Sequence, residues 1–184
     1  HINIRPKDKG KYVLLQVDSY KTFYNELVDE LNLQDIIHDF KLGEVPLAPK
    51  PIEAFNYKVQ PFLKFDGYYY ILVERCNEEI FSKSGLSKRT NDFYKHMAKS
   101  IKILVDEGWM TTDIKTDNAC YSTNNSTISQ FIDFDLKFFI NFNNISILQN
   151  NEEIKDAIKF YMCLQFLCFD YRFNKKVNIG TIDD

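Results

Sequence analysis

Glycine and proline are scarce, six and five among 184 residues. In a chain this rich in Phe, Tyr, Ile and Leu, that leaves little material for flexible linkers, and no repeat with a period of about 20–50 residues is visible. No run approaches the roughly 18 consecutive apolar residues of a membrane helix, and the start "HINIRPKDKG" has neither the apolar core of a signal peptide nor the amphipathic pattern of a transit peptide. No membrane association is expected. Basic charge is not in surplus either: the formal net charge is -3, with Lys and Arg interleaved among the acids, which argues against a nucleic-acid partner. None of the four cysteines, Cys76, Cys120, Cys163 and Cys168, forms a C-x-x-C pair, and each lies beside apolar residues. They read as buried free thiols rather than disulfides or metal ligands, which suits a reducing, cytoplasmic setting. The three histidines add no metal-site spacing, and His38 and His96 read as surface or packing residues on helices.

What is present is apolar mass: 45% of the residues are hydrophobic and 15% aromatic, enough for one compact domain or a pair of small lobes. "KYVLLQV", 11–17, reads as a strand, and Asp18 and Ser19 can cap the helix that follows. In 19–40, Phe23, Leu27, Val28 and Leu31 recur at helical spacing and Ile36, Ile37 and Phe40 extend an apolar face. The three prolines and one glycine of 41–53 mark a connecting loop. "NYKVQPFLKF" and "YYYILVERC" flank Asp66-Gly67 as a hairpin, with Pro61 confining its own strand to an edge or a bulge. The clearest helix carries Phe93, Met97, Ile101, Leu104 and Val105 on one face and ends at Gly108. A polar turn "STNNST", a short strand "SQFIDF" and an apolar helix beginning at Glu152 complete the order, and the class is α+β.

The chemistry is concentrated in "TTDIKTDN", 111–118, and "FIDFD", 131–135. In-line phosphoryl transfer needs a carboxylate to orient the attacking hydroxyl, a cation near the transferred phosphate, and oxygen ligands for Mg²⁺. Asp113 can accept from the hydroxyl, Lys115 can face the same site, Asn118 offers an amide oxygen, and Asp133 is expected on a returning strand as a second metal ligand. Flanked by Ile132 and Phe134, Asp133 reads as a buried carboxylate, which requires a metal, a cation or a cap. Asp117 and Asp135 read more simply as turn residues, and Trp109 and the Tyr68-Tyr69-Tyr70 run as core.

This segment resembles the catalytic loop and metal-binding motif of eukaryotic-type protein kinases, H-R-D-x-K-x-x-N followed by D-F-G. The resemblance implies Asp113 as catalytic base, Lys115 as phosphate-facing lysine, and Asn118 and Asp133 as the Mg²⁺ ligands. It also implies a two-lobed fold with a truncated N-lobe over 1–76 and a reduced helical C-lobe over 77–184. Val73, Glu74, Arg75 and Cys76 would then line the adenine side, and Glu26 or Glu30 would pair with a strand lysine, for which Lys11 is the candidate. Asp156 looks like the residue that anchors the catalytic-loop backbone. The departures are specific. Thr111 and Thr112 replace His and Arg, Asp135 replaces Gly, Gln16 stands where the strand lysine belongs, and no G-x-G-x-x-G or A-P-E occurs. The resemblance is to minimal kinases of pathogen effectors and viruses. It implies ATP and Mg²⁺ as cofactors and a folded protein as substrate, a host protein in the host cytosol where the chain is an injected virulence effector. The implied activity is transfer of the ATP γ-phosphate to protein Ser or Thr. The alternative is a pseudokinase that binds a partner without transfer.

Overall fold

The computed structural model describes residues 12–17, 24–57, 68–75, 91–115, 118–122 and 125–173. The fold is mixed α+β, with small antiparallel sheets and helices packed on one core. Strands β1 (Tyr12–Val17), β4 (Pro51–Tyr57) and β5 (Tyr68–Glu74) form a three-stranded sheet in the order β1-β5-β4. Gln16 pairs with Tyr70, Val13 with Val73, and Tyr57 with Tyr68. Strand β4 begins inside the segment read from sequence as a loop. Pro51 is its first residue on an edge strand, where the missing N–H breaks no ladder bond, and the register slips between Pro51 and Glu53. Pro61 and the Asp66-Gly67 turn lie outside the described residues.

Helix α1 (Tyr24–Asp39) buries Leu27, Leu33 and Ile37, while Ile36 points outward at 44% exposure. Two polar side chains fix its distance from the segment before β4. Gln34 Nε2 donates to Pro49 O at 2.8 Å, and His38 Nδ1 donates to Ala48 O at 2.8 Å, since a carbonyl can only accept. Between α1 and that segment, β2 (Lys41–Leu42) and β3 (Val45–Pro46) close a two-residue turn on Gly43, whose φ of 64° lies in the left-handed region.

Helix α2 (Asn91–Asp106) buries Phe93, Met97, Ile101, Leu104 and Val105, the face its periodicity predicts. It stops at Gly108, whose φ is 85° and whose absent Cβ leaves room for the Asn143 amide. Past Gly108, β6 (Trp109–Thr111) pairs with β9 (Phe139–Asn141), and β7 (Ala119–Ser122) pairs with β8 (Asn125–Phe131). Both ends of "STNNST" are therefore strand. A single turn α3 (Ser146–Gln149) precedes the long helix α4 (Glu152–Phe173), which packs Met162 and Phe166 against α2.

Cys163 and Cys168 are free thiols, but Cys120 is disulfide-bonded. Its apolar surroundings, read from sequence as the setting of a free thiol, suit a buried disulfide equally well, and the argument for a reducing compartment falls with that reading. Among the described residues no helix is long and apolar enough to cross a membrane.

Candidate functional site

The loop between β6 and β7 is held from three directions before any chemistry is considered. Thr111 is buried at 3% exposure, and its Oγ1 accepts from Asp113 N at 3.2 Å. Thr112 N donates to Phe138 O at 2.9 Å, and Thr112 O accepts from Gln165 Nε2 of α4 at 3.0 Å. Ile114, 3% exposed, pins the loop into the core one residue later. Thr111 and Thr112 thus serve as backbone fasteners.

On that frame, Asp113, Lys115 and Asn118 come together. Lys115 Nζ lies 2.7 Å from Asp113 Oδ2, and Asn118 Nδ2 donates to the same oxygen at 2.9 Å and to Asp113 O at 2.8 Å. The side chains of Lys115 and Asp113 remain 30% and 24% exposed, so the pair is reachable from solvent. Asn118 is fixed in turn: its N donates to Lys115 O at 3.0 Å, and its O accepts from Ile132 N at 3.0 Å. That last bond ties "TTDIKTDN" directly to "FIDFD".

Asp133 does not sit where the sequence suggests. It is past the end of β8, not on it, and it is exposed. Its φ of 65° puts it in the left-handed region, which Asp tolerates better than most residues, while its neighbour Phe134 is buried. Phe134 packs on Phe139 at 5.3 Å between ring centroids and so fixes the turn. Partial desolvation raises the Asp133 pKa, with Asp113 and Asp135 adding to the rise while Lys115 and Lys137 oppose it. Asp135 fills the plainer role of a turn residue: its Oδ1 accepts from Lys137 N at 3.1 Å, and its Oδ2 is ion-paired with Lys137 Nζ.

Helix α1 carries Glu30, whose carboxyl feels the charges of the turn at 133–135. Burial, reinforced by Asp135 and Asp133, pushes its carboxyl up to about 7; Lys137 pulls it down and Glu26 pushes weakly upward. Of the two expected helix acids, Glu30 is one that feels the D-F-D turn; Glu26 lies one helical turn earlier.

The residues that the resemblance would place on an adenine side are less informative. Val73 is buried on β5, and Glu74 Oε2 accepts from Lys50 N at 3.4 Å, which commits that carboxylate to the start of β4; Arg75 is exposed beyond the strand. Lys11 and Cys76 lie outside the described residues. Asp156 does not anchor the loop: it is exposed and pairs with Lys159 at 3.0 Å, which also reaches Asp106 at 2.8 Å. The anchoring contact comes from Gln165, about two and a half turns further along α4 and on another side of the helix. Its sequence signal is its isolation, as the one amide in the apolar stretch "FYMCLQFLCF". Gln165 Oε1 is buried and has no hydrogen-bond partner among the described residues.

His96 is a half-buried packing residue on α2. Ser129 N donates to its Nδ1 at 3.3 Å, which assigns the proton to Nε2, and burial followed by Lys99 lowers its pKa. Among the described residues no group of three or more His, Cys, Asp and Glu side chains could hold a metal ion by itself. No protein-family model matches the chain, and no curated protein is significantly similar to it.

Proposed function

We propose that the chain transfers a nucleotide γ-phosphate to a protein Ser or Thr, with Asp113 as the base, on a reduced protein-kinase-like scaffold of two lobes. The observation that carries this reading is the double hold on Asp113 Oδ2 by Lys115 and Asn118, on a loop whose backbone is fastened at Thr111, Thr112 and Ile114. A solvated turn has no reason to build such a frame. With Oδ2 engaged, Oδ1 is the oxygen that accepts the hydroxyl proton as the new O–P bond forms and the bond to the leaving diphosphate breaks.

Both donors of the Asn118 amide go to Asp113, which leaves its oxygen for a cation. The donor set fits a divalent ion held partly by phosphates: one amide oxygen, and one exposed carboxylate, Asp133, whose neighbours Asp113 and Asp135 repel it. When bound, Mg²⁺ would neutralise phosphate charge, and the protein residues would orient the hydroxyl and take its proton. Two donors from the chain are enough for such an ion because Mg²⁺ keeps waters and phosphate oxygens as its remaining ligands.

The test is Mg²⁺-dependent ATP binding by calorimetry, with Asn118→Ala and Asp133→Ala beside the parent, followed by phosphotransfer assays with Asp113→Ala. Micromolar, Mg²⁺-dependent binding that is lost in both metal-ligand variants supports the reading. A folded parent that binds no nucleotide overturns it. A second reading, a partner-binding module without transfer, is favoured by Gln16, which stands opposite Tyr70 where the resemblance expects a lysine. It predicts no transfer by the parent even where nucleotide binds.

A further inference from the structure

Three N-x-[ST] triplets occur in the sequence, beginning at Asn124, Asn125 and Asn144. An asparagine-rich chain forms such triplets by chance, so placement decides what each can do. The side chains of Asn124 and Asn125 lie outside the described residues. Asn144-Ile145-Ser146 occupies the turn from β9 into α3, and all three residues are exposed, Ile145 at 41%. Its neighbouring asparagines are committed elsewhere: Asn141 Oδ1 accepts from Asn143 N at 3.0 Å, and Asn143 Nδ2 donates to Glu107 O at 2.9 Å. The Asn144 amide and the Ser146 hydroxyl make no hydrogen bond among the described residues. Ile145 between them is extended, with φ of −102° and ψ of 96°. Extended backbone is the conformation in which residues i and i+2 share a side of the chain. The turn also stands away from the loop that carries Asp113. Phe142 N donates to Gly108 O at this end of the β6–β9 ladder, and Thr112 N donates to Phe138 O at the other, where that loop begins.

A second observation is independent of the triplet. Cys120 is disulfide-bonded and fully buried. Disulfides form and persist in oxidising compartments, and an N-x-[ST] triplet on the surface of a protein made there is a glycan acceptor. We propose that Asn144 is an N-glycosylation site and that the chain folds in an oxidising, secretory-type compartment. In the transfer, Asn144 Nδ2 forms a bond to C1 of an oligosaccharide carried on a polyisoprenyl diphosphate. The C1–O bond to the diphosphate breaks, the lipid diphosphate leaves with the electron pair, and the amide nitrogen gives up one proton to the transferase. The attached glycan shields Ile145 and Ile147, which are otherwise 41% and 70% exposed. The inference is independent of the phosphoryl-transfer reading.

Secretion of the full chain from a eukaryotic cell line, behind a cleavable leader, tests the site. Most molecules are expected to carry a glycan that peptide N-glycosidase removes, leaving Asp at position 144 in the mass spectrum. Asn144→Gln and Ser146→Ala should each abolish it, and Ser146→Thr should retain it. The melting temperatures of the unglycosylated variants should match that of the enzymatically deglycosylated parent, because both positions are exposed and unbonded. A folded parent unmodified at Asn144 overturns the inference. The compartment is tested on purified chain equilibrated with glutathione at a cytosolic ratio, then denatured and alkylated. Cys163 and Cys168 should be labelled and Cys120 should not. Labelling of Cys120 overturns the assignment to an oxidising compartment.

Discussion

Gln165 Nε2 donates to Thr112 O across 3.0 Å and 53 residues of sequence, and so ties the middle of α4 to the loop that carries Asp113. The other end of the same amide is buried and unpartnered among the described residues. The side chain is thus a donor whose acceptor half costs stability, and the two halves respond differently to substitution.

Gln165→Glu replaces the donor with a carboxylate facing a carbonyl oxygen, and is expected to destabilise the fold by about 2 kcal/mol at neutral pH. Gln165→Met loses one hydrogen bond and one unsatisfied acceptor together, and should cost less than about 1 kcal/mol. Urea melts separate the two. On the phosphoryl-transfer reading, Gln165→Met should lower kcat while leaving the nucleotide KM in place, because the loop carrying Asp113 loses a fastener and the metal ligands do not. Equal losses in the two variants would mean that side-chain packing, not the donor, holds Thr112.

Gly108 ends α2 with φ at 85°, and a Cβ there would overlap the Asn143 side chain. That side chain is not free to leave, since Asn143 Nδ2 donates to Glu107 O at 2.9 Å. Gly108→Ala therefore combines left-handed backbone strain with a steric clash, and the expected loss is at least about 2 kcal/mol. Thermal unfolding reads it directly. A change below about 0.5 kcal/mol would show that the turn relaxes freely.

Glu30 and His96 predict opposite pH responses. The Glu30 carboxyl is raised from 4.5 to about 7, so its contribution is fully present below 4.5 and is lost as pH rises through 7. The His96 pKa is lowered, so its contribution is present above 6.5 and is lost as pH falls below that value. Half-exposure of Glu30 limits its effect to about 1 kcal/mol after solvent screening. Glu30→Gln should flatten the loss of stability between pH 5 and about 7.5, and so make the acid loss from His96 more visible. Denaturant midpoints measured across that range test both signs, and an unchanged profile in Glu30→Gln would place the Glu30 carboxyl in ordinary solvent.

Regular periodicity was the readable part of the sequence. The face and end of α2 follow from apolar spacing and Gly108, because one helix packed on one core repeats its environment every turn. The start of β4 was hidden by Pro49 and Pro51, which read as breakers but lose nothing at the first position of an edge strand. The grouping of Asp113, Lys115 and Asn118 was legible from their spacing within one loop. Asp133 is exposed despite its apolar neighbours because such neighbours imply a buried position only within regular backbone, and Asp133 stands past the end of β8 with a left-handed φ. That Gln165 and not Asp156 holds the loop could not be read from spacing: anchoring depends on which side of α4 faces the loop, and the stretch 160–169 is apolar on every side but for Gln165 itself.

Asp133 has two separable properties, a left-handed backbone and a charge, and three substitutions divide them. Asp133→Asn keeps a residue type that tolerates φ near 65° and removes the carboxylate that Asp113 and Asp135 repel. It should leave stability unchanged or slightly raised, and should bring the Glu30 pKa down, because Asp133 is one of the charges holding it up. Asp133→Gly should stabilise the turn by up to about 1 kcal/mol for the same loss of charge. Asp133→Val should destabilise it by about 2 kcal/mol, since a β-branched side chain fits that backbone poorly. If the carboxylate is a metal ligand, all three lose Mg²⁺-dependent nucleotide binding equally despite their different stabilities. If Asp133 serves only to form the turn, binding follows stability, and the asparagine and glycine variants bind like the parent.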